Sequence, residues 1–319
     1  MAEFNTAANG SQVIDRLEGL SLNPFYTSKH WLKLLRWQLR RMLAARRWGA
    51  DNLHNAPAVL GNAMPKSGSH LIIQVLQGLV ELGPFVNPGF PPVNRSEDNH
   101  KLPDQAVLKN LRRMHSGDIA YGYIQAREPF LSALTGIGNS RRATVFVYRD
   151  PRDFIVSQVF YATDIHKGHG MHRFYTEVVH SMEERIKAAI QGVGEDESSG
   201  KDWEGPPLSD VLTKYQKYMG WMQQTDVLCL RFEELILERE AALNRLLDYL
   251  AGRGFTPQVA RYQAVETLKR AIMPRKSGTF RKGSPGNWRE YFSEANKALF
   301  KQVTGDLLVR LGYERDEDW

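Results

Sequence analysis

Three short segments carry residues whose types and spacing suit anion chemistry. The first is MPKSGSHL, residues 64–71. It follows an apolar run, PAVLGNAM at 57–64, and leads into a helix-like one, LIIQVLQGLVELG at 71–83. A tight loop between a strand and a helix N-terminus collects backbone N–H donors, and the helix dipole adds to them, so such a loop can bind phosphate. Gly68 allows close backbone approach, Ser67 and Ser69 add hydroxyl donors, and Lys66 adds a mobile point charge. The nucleotide-triphosphate motif G-x-x-x-x-G-K-[ST] is absent. Here the Lys precedes the Gly, and no Gly-Lys pair is followed by a hydroxyl for Mg²⁺. NTP hydrolysis is therefore disfavoured. Taken alone, the segment serves equally well as an ordinary strand-to-helix loop.

The second segment is VFVYRDPRDFIVS, residues 145–157. Arg149 ends a hydrophobic strand, and Pro151 suits the first turn of a following helix, where its missing N–H costs little. Asp150 or Asp153 can cap that helix or hold an arginine, and Ser157 lies two turns on. An arginine at a strand's carboxyl end, beside a helix N-terminus, makes a second anion site. The competing reading is a surface salt-bridge cluster of Arg149, Asp150, Arg152 and Asp153, of little energetic worth. The third segment, FRKGSPGNWREYF at 280–292, places Arg281, Lys282 and Gly283 together ahead of Pro285 and Gly286. It reads either as a basic loop that folds over an anion or as a solvated one.

Together the three segments resemble the cytosolic-type sulfotransferases. MPKSGSHL is similar to that family's 5′-phosphosulfate loop, YRDPRDFIVS to its 3′-phosphate segment, and FRKGSPGNWREYF to its C-terminal RKGxxGDWxxxF loop. They occur in the family's order, and KYQKYMGWMQQTDVLCLRFEEL at 214–235 resembles a fourth element, a Tyr-to-Trp helix and the strand after it. The resemblance implies a single α/β domain with a central parallel sheet flanked by helices, related to nucleotide kinases. It implies 3′-phosphoadenosine 5′-phosphosulfate (PAPS) as sulfonate donor and a small-molecule, lipid-like or carrier-bound hydroxyl or amine as acceptor. Carried over position by position, Lys66, Ser67, Gly68, Ser69 and His70 surround the 5′-phosphosulfate, with Lys66 also catalytic. Arg149 and Ser157 hold the 3′-phosphate with Arg281, Lys282 and Gly283, and Tyr215 contacts the adenine. No nucleic-acid partner is implied.

The sequence departs from that family in three places. Leu71 stands where the family has an adenine-stacking tryptophan and offers apolar contact without a ring. The family's KxxxTVxxxE dimer segment has no counterpart near 289–299, which leaves the oligomeric state open. The family's histidine base falls at Tyr123 in SGDIAYGYIQA, residues 116–126, and a phenol of ordinary pKa near 10 is a poor base. Three explanations stand. Tyr123 is activated by a cation such as Lys66; or another group (His115, Asp118, His70, or one of His166, His169 and His172) is the base; or the acceptor needs little help. The last three histidines suggest a metal cluster by composition only. With one cysteine and no ligand spacing, no metal is assigned.

The elements that must position these groups alternate in type. Strands are expected at 57–64, 118–125, 143–148 and 226–231, with helices at 71–83, from Pro151, and at 208–224 and 233–250. That alternation argues for a parallel α/β sheet. Residues 84–104 and 191–207 read as loops, and acceptor-lining residues are expected from 84–104 and 164–175. The 319 residues, 42 % hydrophobic and 24 % charged, exclude a disordered or fibrous chain. The single cysteine, Cys229, excludes an intrachain disulfide; it falls in an expected buried strand, as packing in a reducing compartment. A net charge of +6 points to anionic partners without naming one. No signal peptide or transmembrane run is read, so a cytoplasmic protein is expected, with peripheral membrane association left open.

Residues 1–50 read as an N-terminal extension and 51–319 as the domain. Within the extension, KHWLKLLRWQLRRMLAARR at 29–47 spaces Trp31, Leu34, Leu35, Leu39, Met42 and Leu43 as one helical stripe, with Lys33, Arg36, Arg40, Arg41, Arg46 and Arg47 over much of the rest. Either the helix contacts an anionic membrane or an acidic or carrier partner, or its stripe packs on the domain with a solvated basic face. Two alternatives to sulfonate transfer remain at this point: a nucleotide kinase or NTP-binding switch on the same scaffold, and a catalytically impaired PAPS-binding module.

Overall fold

The structure, a computed structural model, describes residues 30–87, 92–96, 100–135, 141–194, 205–273 and 283–319. It begins with helices α1 (His30–Trp48) and α2 (Ala50–Asn55), then strand β1 (Ala58–Ala63) and helix α3 (Ser69–Leu82). Helix α4 (Asp104–Arg112), strand β2 (Ile119–Gly122), helix α5 (Phe130–Leu134), strand β3 (Arg142–Tyr148) and helix α6 (Pro151–Phe160) follow. Short π-helical turns occupy Tyr161–Ile165 and Phe174–Val178. Then come α7 (Met182–Gln191), α8 (Val211–Met219), β4 (Val227–Arg231), α9 (Phe232–Leu237), α10 (Arg239–Ala251) and α11 (Arg261–Ala271). A 3₁₀ turn, Asn287–Glu290, and helices α12 (Glu294–Thr304) and α13 (Leu307–Arg310) close the chain.

The four strands form one parallel sheet in the order β2-β1-β3-β4. β1 is buried at every position, the pattern of a central parallel strand covered on both faces. Alternation along β3 sends Phe146 and Tyr148 to one core and Val145 and Val147 to the other. The first core is closed by residues of α6, α7, α8 and α12, the second by α3, α10 and α11. Because β1 pairs with β2 on one side and β3 on the other, the chain reverses its direction of winding between β1 and β3. A crevice opens at the carboxyl ends of the strands at such a switch point, which is where ligands bind in open parallel sheets.

The expected elements are present with two changes of detail. The helix expected at 208–224 is α8 followed by a 3₁₀ turn, Gly220–Gln223. The one expected at 233–250 breaks at Glu238 into α9 and α10. Cys229 is only half-buried, because β4 is the edge strand; burial still pushes its thiol up to about 11 and it packs on the core.

Helix α1 forms, but it does not pack its apolar stripe on the domain. Its inward side chains include Trp37, buried against Leu53 and Val86 with Ala44 and Ala45 beside it, and Arg40 and Arg41. The Trp37 indole N–H donates to Asp118 Oδ1 at 3.1 Å, Arg41 donates to the same oxygen at 2.8 Å, and the His115 amide donates to Asp118 Oδ2 at 2.8 Å. Arg40 donates to the Asn87 carbonyl at 2.9 Å, and the Trp37 ring lies against His115. Leu35, Leu39, Met42 and Leu43 are exposed instead. A fully buried carboxylate needs charged and polar donors, so it draws the guanidinium and indole side of the helix inward. The expectation of a packed stripe with a solvated basic face is therefore corrected for the described side chains.

Burial raises the Asp118 carboxyl to about 6 even though Arg41 and its hydrogen bonds pull the other way. It stays ionised at neutral pH and holds α1. We predict that Asp118→Ala, which strands Arg41 and the indole, costs about 3–5 kcal/mol. The expected signs are a lower melting temperature and faster proteolysis within 30–48; unchanged cleavage there would show that Asp118 does not anchor the helix.

Candidate active site

The crevice at the strand ends is a cavity of about 710 Å³. Lys66, Gly68, Ser69, His70 and Leu71 enter it from the loop after β1, and Arg149, Asp153 and Ser157 from β3 and α6. Tyr123 enters from the end of β2, Phe232 from the end of β4, and Gly283 and Asn287 from the C-terminal segment. The two anion-binding segments thus meet because β1 and β3 are paired neighbours, Ala63 opposite Val147.

The first loop is built around strain and close approach. Lys66 adopts a φ of 64°, rare for a residue with a side chain and typical of sites where the fold imposes it. Gly68 has a φ of 89°, and a Cβ there would stand 2.6 Å from the Phe232 ring. Only glycine fits. Gly68 is also the N-cap of α3 and supplies no side-chain acceptor, so the first-turn amides of Ser69 and His70 keep their donors for a ligand. Ser67 Oγ is buried with no partner among the described residues, as is Arg149 Nε. Buried polar groups are nearly always satisfied, so the orphaned Nε of Arg149, which lines the crevice, marks where an anion's oxygen fits, whereas Ser67 is fully buried outside the lining.

The second segment overturns the reading of a surface salt-bridge cluster: Arg149, Asp150, Arg152 and Asp153 are all buried. Asp150 caps α6, accepting from the Arg152 amide at 2.9 Å, and also takes the Arg152 guanidinium. That guanidinium sits between the Trp288 and Trp319 rings and reaches Glu314 at 2.6 Å. Asp153 accepts the amides of Gly286 at 2.7 Å and Trp288 at 2.9 Å, and lies 3.6 Å from Arg149. Arg149 rests on the Phe232 ring, 4.5 Å from its centre. Phe232 therefore braces both loops, a role the sequence did not signal.

Electrostatics mark the crevice as cationic and desolvated. Burial, then the charge of Arg149, lowers the Lys66 ammonium to about 8. Its Nζ lies 3.3 Å from the centre of the Tyr161 ring, on the π-helical turn that continues α6. Tyr161 was also not signalled; π-bulges recur at functional sites but have no simple sequence mark. Burial and the nearby Lys66 charge both lower the His70 imidazole, so it is neutral.

The base candidates separate. His115 and Asp118 lie at the amino end of β2, away from the crevice, in the anchor for α1. This corrects their assignment as catalytic. Tyr123 does line the crevice, but burial raises its phenol despite a side-chain hydrogen bond with Ser69 and the charge of Arg95. The phenol is therefore protonated at neutral pH. His166 and His169 line the crevice, whereas His172 turns its Nδ1 to the Ala162 carbonyl at 2.7 Å. His169 accepts the Met171 amide at Nδ1, so its neutral form carries the proton on Nε2. Among the described residues no three His, Cys, Asp or Glu side chains come together as a metal site.

Tyr215 is corrected too. It is fully buried outside the crevice lining, and its hydroxyl donates to the Arg149 carbonyl at 2.8 Å. It props the arginine. Arg281 and Lys282 lie outside the described residues.

Strand, strained loop, uncapped helix and a neighbouring arginine define an α/β protein with a P-loop-like crevice suited to phosphate-type anions. Residues 57–312 match the family profile described as Sulfotransferase domain, and the chain belongs to that family. Among solved structures it is similar to mouse sulfotransferase SULT7A1 complexed with PAP, at 14 % identity and a TM-score of 0.52, covering 88 % of this chain and 93 % of that one. It is similar also to retinol dehydratase in complex with androsterone and inactive cofactor PAP, at 14 % identity and a TM-score of 0.46, covering 81 % and 83 %. No curated protein matches it in sequence.

An anion beside Lys66 favours the protonated amine. The free amine titrates at about 8, so binding above that pH must take up a proton. We predict that affinity for sulfate, measured by calorimetry, is flat below pH 8 and then falls up to about tenfold per pH unit. Lys66→Met should bind more weakly and lose that step; a wild-type profile flat through this range would place the anion away from Lys66.

Proposed function

We propose that this sulfotransferase uses PAPS as donor, held by its 5′-phosphosulfate in the Lys66–Leu71 loop and by its 3′-phosphate against Arg149 and Ser157. The observation that carries this is the meeting of the Lys66–Leu71 loop with Arg149, whose buried Nε is orphaned, on adjacent strand ends of one crevice. Two anionic ends of a single ligand match two separate nests. The cofactor, when bound, supplies an electrophilic sulfur joined to a phosphate leaving group.

The chain's own residues bind and orient. Lys66, already desolvated, offsets charge that grows on the leaving oxygen, an interaction strongest in the transition state. The first-turn amides of α3 assist. Leu71 and Phe232 supply apolar surface. Tyr123 acts as a protonated phenol that hydrogen-bonds the acceptor or the transferring group, and not as the base. The acceptor is a hydroxyl or amine entering between Tyr123 and the histidines of the 166–169 turn, which include a neutral imidazole at His169.

Two measurements test the reading. Adenosine 3′,5′-bisphosphate without Mg²⁺ should raise the melting temperature, with roughly 2.7 kcal/mol of stabilisation at a hundredfold excess over Kd. Stabilisation by ATP with Mg²⁺ alone would favour a kinase and overturn it. A mass-spectrometric screen of acceptors should yield products heavier by SO₃; bisphosphate binding with no transfer to any acceptor would favour an impaired module.

Arg149→Gln should weaken the 3′,5′-bisphosphate by roughly ten- to a hundredfold, the worth of charge-assisted hydrogen bonds. The 5′-phosphate analogue should be spared. Equal weakening of both nucleotides would remove the 3′-phosphate from Arg149.

A further inference from the structure

Helix α1 presents the reverse of an ordinary surface helix. Leu35, Leu39, Met42 and Leu43 are 52, 41, 65 and 37 % exposed, while Trp37 on the opposite side is 6 % exposed. At 100° per residue the four apolar residues fall within about 100° of the helix circumference, and Trp37 lies across from their centre. They form one continuous stripe. The helix carries Lys33, Arg36, Arg40, Arg41, Arg46 and Arg47 and no acidic residue. Of these, Arg46 continues the line of the stripe and Arg47 borders it, both exposed. Arg41 is bound to Asp118, so the helix is fixed with the stripe outward.

We propose that this stripe is a docking surface for an anionic phospholipid bilayer, with α1 lying in the plane of the interface. Four exposed apolar side chains on a 19-residue helix suit shallow burial at the boundary of headgroups and acyl chains, and the arginines beside them suit phosphate and carboxylate headgroups. The charge pattern argues against a second copy of the chain on the same stripe. Self-pairing on this stripe would bury Arg46 and Arg47 against a helix that, parallel or antiparallel, offers them no acidic side chain. Among the described residues no helix is long and apolar enough to cross a membrane, so the contact is lateral. Lipid binding here is independent of the cofactor crevice and does not rest on the proposed donor.

Co-sedimentation of the full chain with vesicles tests this. Vesicles of phosphatidylcholine with phosphatidylserine should bind the protein, and vesicles of phosphatidylcholine alone should bind it much less. Leu39→Glu with Met42→Glu should weaken binding by roughly tenfold or more. Arg46→Gln with Arg47→Gln should weaken binding to the anionic vesicles by roughly thirtyfold and remove most of its salt dependence. A melting temperature near wild type would show that each variant folds. No binding to the anionic vesicles, or equal binding to both kinds, overturns the proposal. So does undiminished binding by the Glu variant. A wild-type dimer in light scattering that the Glu variant converts to a monomer would assign the stripe to self-association instead.

Discussion

The site depends on how one buried carboxylate is neutralised. Asp153 is almost wholly removed from water, and two backbone amides, from Gly286 and Trp288, carry most of its hydrogen bonding. Arg149 stands at 3.6 Å, close enough to contribute charge but not closed into a tight bidentate pair. Were the arginine alone to satisfy Asp153, two of its five donors would be spent on a bidentate pair and its orientation fixed by it. With the amides in that role, the guanidinium keeps Nε and its Phe232-facing plane beside the crevice. The same two bonds fix the C-terminal segment to α6, so they set the far wall of the crevice and its cation together.

Around that centre the strand exits are pinned by side chains outside the crevice lining. Tyr215 holds the Arg149 carbonyl, and Trp221, one turn further on, donates its indole N–H to the Ile124 carbonyl at 2.8 Å. Asn62 completes the hold on Ile124, accepting its amide at 2.8 Å and donating to its carbonyl at 3.0 Å. Asn94 grips the backbone of Tyr123 in the same reciprocal way. Strand ends leave backbone groups unpaired, and a buried exit cannot leave them so. These residues satisfy them and, in doing so, restrict where Arg149 and Tyr123 project. Supporting contacts of this kind determine how well a site is preorganised.

The parallel sheet, its strands and the two anion loops were legible because each depends on local pattern: uninterrupted apolar strands, a glycine where φ must be positive, a proline opening α6. What was not legible depends on partners distant in sequence. Tyr215 is expected as an adenine contact from the family resemblance, and only the fold shows its hydroxyl spent on the Arg149 carbonyl. His115 and Asp118 precede Tyr123 by a few residues, yet a strand only four residues long carries them to opposite ends of the sheet. A buried Asn in the middle of PAVLGNAM was a signal that went unused, since a polar residue in an all-apolar strand needs a specific partner. For α1, periodicity revealed the stripe but not its direction. That was decided by Asp118, more than seventy residues away.

The free crevice is electrostatically unfavourable, which follows from the arrangement itself. Lys66 is desolvated, repelled by Arg149 and held at a strained φ, and the same lysine helps keep His70 neutral. None of these features stabilises the fold. The charge repulsion between Lys66 and Arg149 is offset by an anion, which favours the charged ammonium and gives Arg149 Nε an acceptor. Because Lys66 is already stripped of much of its water, it has little solvent to reorganise when charge shifts beside it, the condition under which a fixed cation is most effective in a transition state.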